Sequence, residues 1–193
     1  TTFIKLGQFL ATRPDIIGND LATNLEKLQD KLPPFTKNEA SNILKEELGK
    51  KNFEKIKNLS EPIAAASIAQ VHFATIKKNS SENKIALKIL RPNIEKLFNE
   101  ELDALMLLAF IIQSLVKKTQ RLKLTEVVHL LRQITNMELD LRFEAAAANE
   151  LYENTKDDIG FKVPKIYWKY TTKRILALDK IEGTSIRNID ELK

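Results

Sequence analysis

Apolar residues at the start of the chain, Phe3, Leu6, Phe9 and Leu10, recur at helical spacing until Pro14. The ring of a proline clashes with a continuing turn, so the pattern predicts a short helix over residues 2–13. Asn19 or Asp20 is placed to cap a second helix carrying Leu21, Leu25 and Leu28, which must end before Pro33-Pro34. A third begins at Thr36, where Thr36 and Glu39 have capping-box spacing, and Gly49 is placed to close it. Past a polar passage ending at Pro62 the apolar period shortens from about 3.6 towards about 2 residues. Ile68 to Ile76 reads as a strand, Asn79 to Asn83 as a turn and Ile85 to Leu90 as a second strand, together a β-hairpin. Pro92, suited to a first helical turn, opens a helix that takes in the apolar run Ala104–Val116, with Lys117-Lys118 complementing its C-terminal end. Thr125 can cap another long helix, with Val127, Val128, Leu131, Ile134, Leu141, Ala145 and Ala148 on one stripe, running to about Asn154. Ile166-Tyr167-Trp168 begins a third sheet segment and Arg174 to Leu178 makes a fourth. Helices, hairpin, two helices and strands, in that order, predict an α+β fold with a mainly antiparallel sheet.

Composition narrows the chemistry. The length of 193 residues suits one large domain or a domain with a helical attachment, and 43% hydrophobic with 30% charged residues argues against disorder, collagen or a membrane bundle. With no cysteine, a disulfide framework, a thiolate metal site and a cysteine nucleophile are excluded. The net charge of +5 is a modest excess that keeps a protein in solution and does not call for nucleic acid. Ala104–Val116, interrupted by Gln113 and Ser114, is shorter than the roughly 20 residues of a spanning helix and reads as a buried one. The first residues carry no charged leader followed by an apolar run, so secretion is not expected and a cytoplasmic or membrane-peripheral place follows by default.

The first candidate for chemistry is Ala64-Ala65-Ala66-Ser67, a small-residue turn between two strands, followed by Lys88 inside an apolar strand. Small side chains let backbone N–H groups approach a bulky anion, and a lysine on the next strand reaches phosphates as a point charge. The plainer alternative is a packed turn beside a lysine facing water on an alternating edge strand. Glu138, Asp140 and Glu144 are the acidic counterpart, with Asp140 and Glu144 one turn apart; either could pair with Lys88, or the set could be a solvated acidic face near Arg142. Lys5 and Gln8 lie on one helix face with Gly7 between them, and a glycine inside a helix suggests close approach by another backbone, the alternative being an ordinary amphipathic helix. His72 and His129 read as packing or surface residues.

Together these stretches resemble the UbiB (aarF-domain, ADCK-like) family of atypical kinases. Lys5-Leu6-Gly7-Gln8 matches its K-x-G-Q signature, Ala64-Ala65-Ala66-Ser67 its alanine-rich loop, Ala86-Leu87-Lys88 the kinase strand lysine, and Glu138-Leu139-Asp140 its E-x-D motif, all in the family's order. The resemblance covers essentially the whole chain. It implies a K-x-G-Q extension over residues 1–58 and a kinase-like N-lobe with inserted helices over residues 59–193, ending just after the hinge. On that template the alanine-rich loop covers the phosphates of ATP or ADP, Lys88 holds them and Glu144 is its helix partner. Ala86 would pack on adenine, Leu178 would be the gatekeeper, and Asp179 to Ile181 the hinge whose backbone binds the base. Glu138 and Asp140 would face Lys5, Gly7 and Gln8 in a regulatory role. Family membership further implies support of ubiquinone or other isoprenoid-lipid metabolism, with a lipid or quinone precursor, a membrane surface or a separate C-lobe chain as partners.

One departure is as informative as the matches. Phosphoryl transfer needs a catalytic-loop aspartate and asparagine and an Asp-Phe-Gly-type magnesium ligand after the hinge, and these 193 residues contain none of them. Asp158-Ile159-Gly160 precedes the hinge and reads as a turn. The chain is thus expected to grip a nucleotide without turning it over alone, with magnesium entering only with a C-lobe. The competing expectation is a non-catalytic membrane- or protein-interaction module derived from that lobe.

Overall fold

The computed structural model of the chain describes residues 7, 10–12, 14–26, 33–78 and 81–184. Two short helices, α1 (Pro14–Ile17) and α2 (Asn19–Glu26), are separated by Gly18, whose φ of 83° makes it the hinge between them, and the Gly18 carbonyl accepts from Ala22 N. Capping of α2 therefore begins one residue before Asn19. Helix α3 (Lys37–Phe53) starts at the expected capping box, with Thr36 Oγ1 accepting from Glu39 N and Glu39 accepting from Thr36 N. Gly49 kinks this helix instead of ending it, in a conformation (φ 68°, ψ 162°) open to glycine, and one more turn follows.

The sheet has five strands: β1 (Ile56–Lys57), β2 (Pro62–Ala65), β3 (Ala69–Lys78), β4 (Ser81–Leu90) and β5 (Ile175–Asp179). All pairings are antiparallel, β3–β4–β5 forming the centre, with β1 and β2 sharing the outer edge of β3. The expected α+β architecture with an antiparallel sheet is what forms. Two details differ. Pro62–Ala65 is itself a strand, leaving only Ala66 to Ile68 as the turn, and the Ile166 segment contributes one bridge to Leu178 before Trp168–Tyr170 tightens into a 3₁₀ turn.

Alternation along the strands divides the sheet into two faces. Ala74, Ile76, Ile85, Leu87, Ile89, Ile175 and Ala177 pack beneath Phe35, Ala40, Ile43, Leu44 and Leu48, so α3 roofs one face although it lies N-terminal to residue 58. Among the described residues the other face is covered at one end, where Ala69, Leu90 and Leu176 meet Phe98, Leu141 and Ala145. The remainder of that second face is where the candidate chemistry sits.

Between β4 and β5 run three helices where the periodicity predicts two. Helix α4 (Ile94–Leu115) begins after Asn93, which is left-handed (φ 57°), so Pro92 stands in the preceding turn and not in the helix. A 3₁₀ segment (Lys117–Leu122) leads to α5 (Leu124–Glu138), which starts after left-handed Lys123. The chain then breaks at Leu139 and restarts as α6 (Leu141–Thr155), capped by Asp140. The apolar stripe continues across the break, which is why spacing alone reads one helix. The expectation of a buried Ala104–Val116 is also overturned. Leu105 and Ala109 are buried against Val128 and Leu131, but Leu107 is 61% exposed, Phe110 60% and Leu115 77%. No described helix is long and apolar enough to cross a membrane.

Candidate nucleotide site

Antiparallel register lines up Ala64 with Val71, Val71 with Lys88, and Lys88 with Leu176 across four strands. Residues opposite one another share a face, so the alanine-rich strand and the lysine lie on the same side of the sheet. One row along, Phe73, Ala86 and Leu178 are also in line on that face. Lys88 therefore stands on a central strand between fully buried Leu87 and Ile89 on the opposite face, which removes the edge-strand alternative.

Its ammonium meets Glu144 of α6, Nζ to Oε2, at 2.6 Å, with the lysine side chain 28% and the glutamate 48% exposed. In such an environment an ion pair contributes at most about 1 kcal/mol to folding. The pair is thus placed where a ligand can reach it, and stability gives little reason for it.

Asp140 does not join Lys88. It precedes α6, accepts at Oδ1 from Arg142 N at 3.1 Å, and takes the Arg142 guanidinium on both oxygens at 2.9 and 2.6 Å. Those hydrogen bonds hold its carboxyl below the usual carboxylate range, more than burial pushes it up. Its cap fixes the first turn of the helix that carries Glu144. Glu138 closes α5 and is exposed. Gly7 is helical and buried, whereas Lys5 and Gln8 lie outside the described residues, so no contact of the E-x-D pair with them is described.

Ala64 is exposed and Ala65 and Ala66 are half-buried, while Ser67 is fully buried, so the turn offers methyl groups and backbone to the open face. The turn is braced from behind. Ala66 N donates to Ala69 O at 2.8 Å, and Arg91 Nε and Nη2 donate to Ala66 O at 3.0 and 2.9 Å. Arg91 Nη1 also donates to Pro33 O at 2.9 Å, which ties the turn to the segment entering α3. At the far end of β5, Asp179 N donates to Lys165 O and Lys180 N to Lys84 O, while the Asp179 carboxylate accepts from Tyr167 OH at 2.6 Å on the α3 side of the sheet. Burial, then that bond, pushes the Tyr167 hydroxyl up to about 12. Ile181 follows, exposed. Among the described residues no group of three His, Asp or Glu side chains gathers to hold a metal.

The model of the ABC1 atypical kinase-like domain matches residues 27–193 of this chain. The chain belongs to the UbiB-type ABC1 family. Among its relatives, a probable protein kinase UbiB of Marinobacter nauticus is 36% identical over 192 residues, covering 99% of this chain and 35% of that protein. A probable protein kinase UbiB of Pseudomonas aeruginosa is 35% identical over 197 residues, covering 99% and 36%, and one of Cellvibrio japonicus 34% over 191 residues, covering 98% and 34%. The chain thus spans about a third of the length of these relatives.

Two residues that hold this UbiB-type lobe together escaped the pattern. Gln70, 1% exposed, accepts at Oε1 from Phe35 N at 2.9 Å and donates from Nε2 to Phe35 O at 3.0 Å, clamping the entry to α3. Arg91 clamps the alanine-rich turn. The available signal for Gln70 was its position on the apolar side of an alternating strand, where Gln70 and His72 interrupt Ile68, Ala74 and Ile76. Arg91 carried no comparable signal, because its partners are two backbone carbonyls distant in sequence.

Proposed function

We propose that this chain is the nucleotide-gripping part of a UbiB-type atypical kinase or ATPase that serves ubiquinone or another isoprenoid-lipid biosynthesis, in the cytoplasm or against the inner face of a membrane. The observation that carries the reading is the Lys88–Glu144 pair at 2.6 Å, open to solvent and in line with the alanine-rich strand. The residues present fit an adenine nucleotide. Lys88 would hold the α- and β-phosphates, with Glu144 fixing its direction, and the methyl-lined turn leaves room for phosphate beneath its backbone. Ala86, 8% exposed, and half-buried Leu178 stand in line on that face and would form the apolar floor beneath the base. Because the N–H groups of Asp179 and Lys180 are taken by Lys165 and Lys84, the base would address the Asp179 carbonyl and the Ile181 N–H.

ATP or ADP, when bound, supplies the phosphoryl chemistry, and magnesium would need ligands from beyond these residues. A C-lobe, on the same chain or a separate one, would bring them and the catalytic aspartate. The 193 residues alone would therefore bind nucleotide without hydrolysing it. A second reading, an interaction module, is favoured by one observation, the exposed apolar outer face of α4.

Calorimetric titration with ADP and ATP tests the reading. Removing the ammonium by Lys88→Ala should weaken binding at least about tenfold, since a charge-assisted phosphate contact is worth roughly 1.5–3 kcal/mol. Thermal stability should change little, the pair contributing at most about 1 kcal/mol to folding. Equal affinity in both proteins would remove Lys88 from the site. ATP hydrolysis by the wild-type chain that Lys88→Ala abolishes would end the claim of incapacity.

A further inference from the structure

Helices α4 and α5 leave the sheet as a hairpin. Their distal halves pack only on each other among the described residues, in a core of Leu102, Leu105, Ala109, Val128 and Leu131 flanked by Met106 and Leu124. Near the sheet the outer side of α4 is charged, with Lys96, Glu100 and Asp103, the last paired to Arg132 at 2.6 Å. Beyond Asp103 the same side turns apolar. At about 100° per residue Leu107, Phe110, Ile111 and Leu115 face away from the stripe that meets α5, and all four are exposed. A helix apolar on both sides requires a second covering surface.

The few polar groups in this stretch are already engaged. Ser114 Oγ donates to Phe110 O at 2.7 Å, and Gln113 Oε1 accepts from Thr125 N at 3.3 Å. At the tip, Thr119 Oγ1 donates to Val116 O at 2.7 Å, satisfying an end carbonyl of the hairpin. Charge at the tip is one-signed: the sequence has four basic residues, Lys117, Lys118, Arg121 and Lys123, and no acidic one between Asp103 and Glu126. Lys123 is matched by Glu126 at 2.9 Å, whereas among the described residues Lys117 and Arg121 are exposed and join no ion pair.

We propose that this distal half, residues 107–123, is a docking surface for an anionic lipid bilayer. An apolar face about two turns long would sink into the boundary between headgroups and acyl chains, where such faces bury to about 5–10 Å. The basic tip would meet anionic headgroups. A second copy of the chain would oppose this tip with the same charge when stacked alongside in the same direction. The inference deepens the membrane-peripheral part of the proposed function and does not depend on nucleotide binding.

The test is flotation of the chain with vesicles of phosphatidylcholine mixed with phosphatidylglycerol and with vesicles of phosphatidylcholine alone. Wild type should float with the mixed vesicles and not with the neutral ones. Lys117→Gln/Arg121→Gln should lower the affinity roughly 25-fold, about fivefold for each charge removed. Leu107→Gln/Phe110→Gln/Leu115→Gln should abolish flotation. If this triple variant fails to fold, the charge variant still decides. Absence of wild-type flotation, equal flotation with neutral vesicles, or indifference to both variants would overturn the proposal. So would concentration-dependent dimerisation, seen by sedimentation, that the triple variant removes, because the face would then close on a second copy. Stabilisation by ADP, measured on the same variants, separates the two readings. Lost flotation with the nucleotide response intact is the expected behaviour of the arm variants, whereas a missing ADP response in a floating wild type counts against the nucleotide site alone.

Discussion

Replacing Gln70 by leucine removes one side chain and strands three buried groups. Gln70 sits between strand β3 and the entry to α3, pairing with both the N–H and the C=O of Phe35, at 2.9 and 3.0 Å, while its Nε2 lies 2.8 Å from His72 Nε2. Leucine fills a similar volume, so little of the cost comes from a cavity. An unpaired polar group in the interior costs roughly 1–3 kcal/mol. Allowing the 33–36 segment to relax towards water, we take about 3 kcal/mol for the set. For a chain of this size roughly 2–4 °C of melting temperature goes with each kcal/mol, so Gln70→Leu should lower the midpoint by about 6–12 °C. Circular dichroism during thermal unfolding reads that shift. Amide hydrogen exchange at Phe35 reads its cause, since an N–H released from its acceptor exchanges faster while the centre of β3 stays protected. A midpoint within about 2 °C of wild type, with Phe35 exchange unaltered, would show that this clamp does not hold the α3 roof on the sheet and that packing of Ile43 and Leu44 suffices.

Two further outcomes follow from the same region and from the helix break. His72, fully buried, has Nδ1 placed 2.9 Å from Ser60 O, and because Gln70 donates from Nε2, its ring is the neutral tautomer with the proton on Nδ1. Burial lowers its pKa from the ordinary 6.5, so the stability it contributes is present above about pH 6.5 and is lost as the pH falls through the lower folded value. Urea midpoints should be flat from neutral pH to about 6.5 and drop below it, and His72→Gln should lose that part of the slope; an unchanged slope would sink this assignment. Asp140→Ala should cost about 1 kcal/mol, the usual worth of an N-cap, and weaken nucleotide binding through Glu144, while Asp140→Asn keeps most of both. Equal exchange rates for the amides of residues 141–144 in wild type and Asp140→Ala would contradict the capping role.

Much of the lobe was legible because its signals are local. The capping box at Thr36, the hairpin of β3 and β4, and the strand at Ile175 each follow from residues adjacent in sequence, and each formed. Where the reading failed, a local rule met a non-local fact. Spacing across Leu139-Asp140 continues an apolar stripe, yet the break is stabilised by the Asp140 carboxylate and by Leu141 N donating to Lys173 O, a partner 32 residues away in sequence. The Pro62–Ala65 segment lacks large β-branched residues apart from Ile63, so its strand character comes from pairing with β3 and not from propensity. The lysine of the site was visible as an anomaly, a charge within an apolar strand. Its orientation was not, because only the register with β3 and β5 shows which face it shares.

The register also explains how the α3 roof and the proposed ligand site can share one sheet without competing. A two-sided sheet must cover both faces, and here α3 takes one of them, clamped by Gln70 through Phe35. Among the described residues the opposite face then stays open around Lys88, with α6 at its end. Arg91 connects the two sides, since one guanidinium holds Ala66 O in the alanine-rich turn and Pro33 O in the segment leading to α3. A movement of that segment therefore cannot leave the turn untouched, because a guanidinium is a rigid fork whose bonds must break or shift together. The segment that enters α3 is in this way joined through Arg91 to the backbone that would face the phosphates.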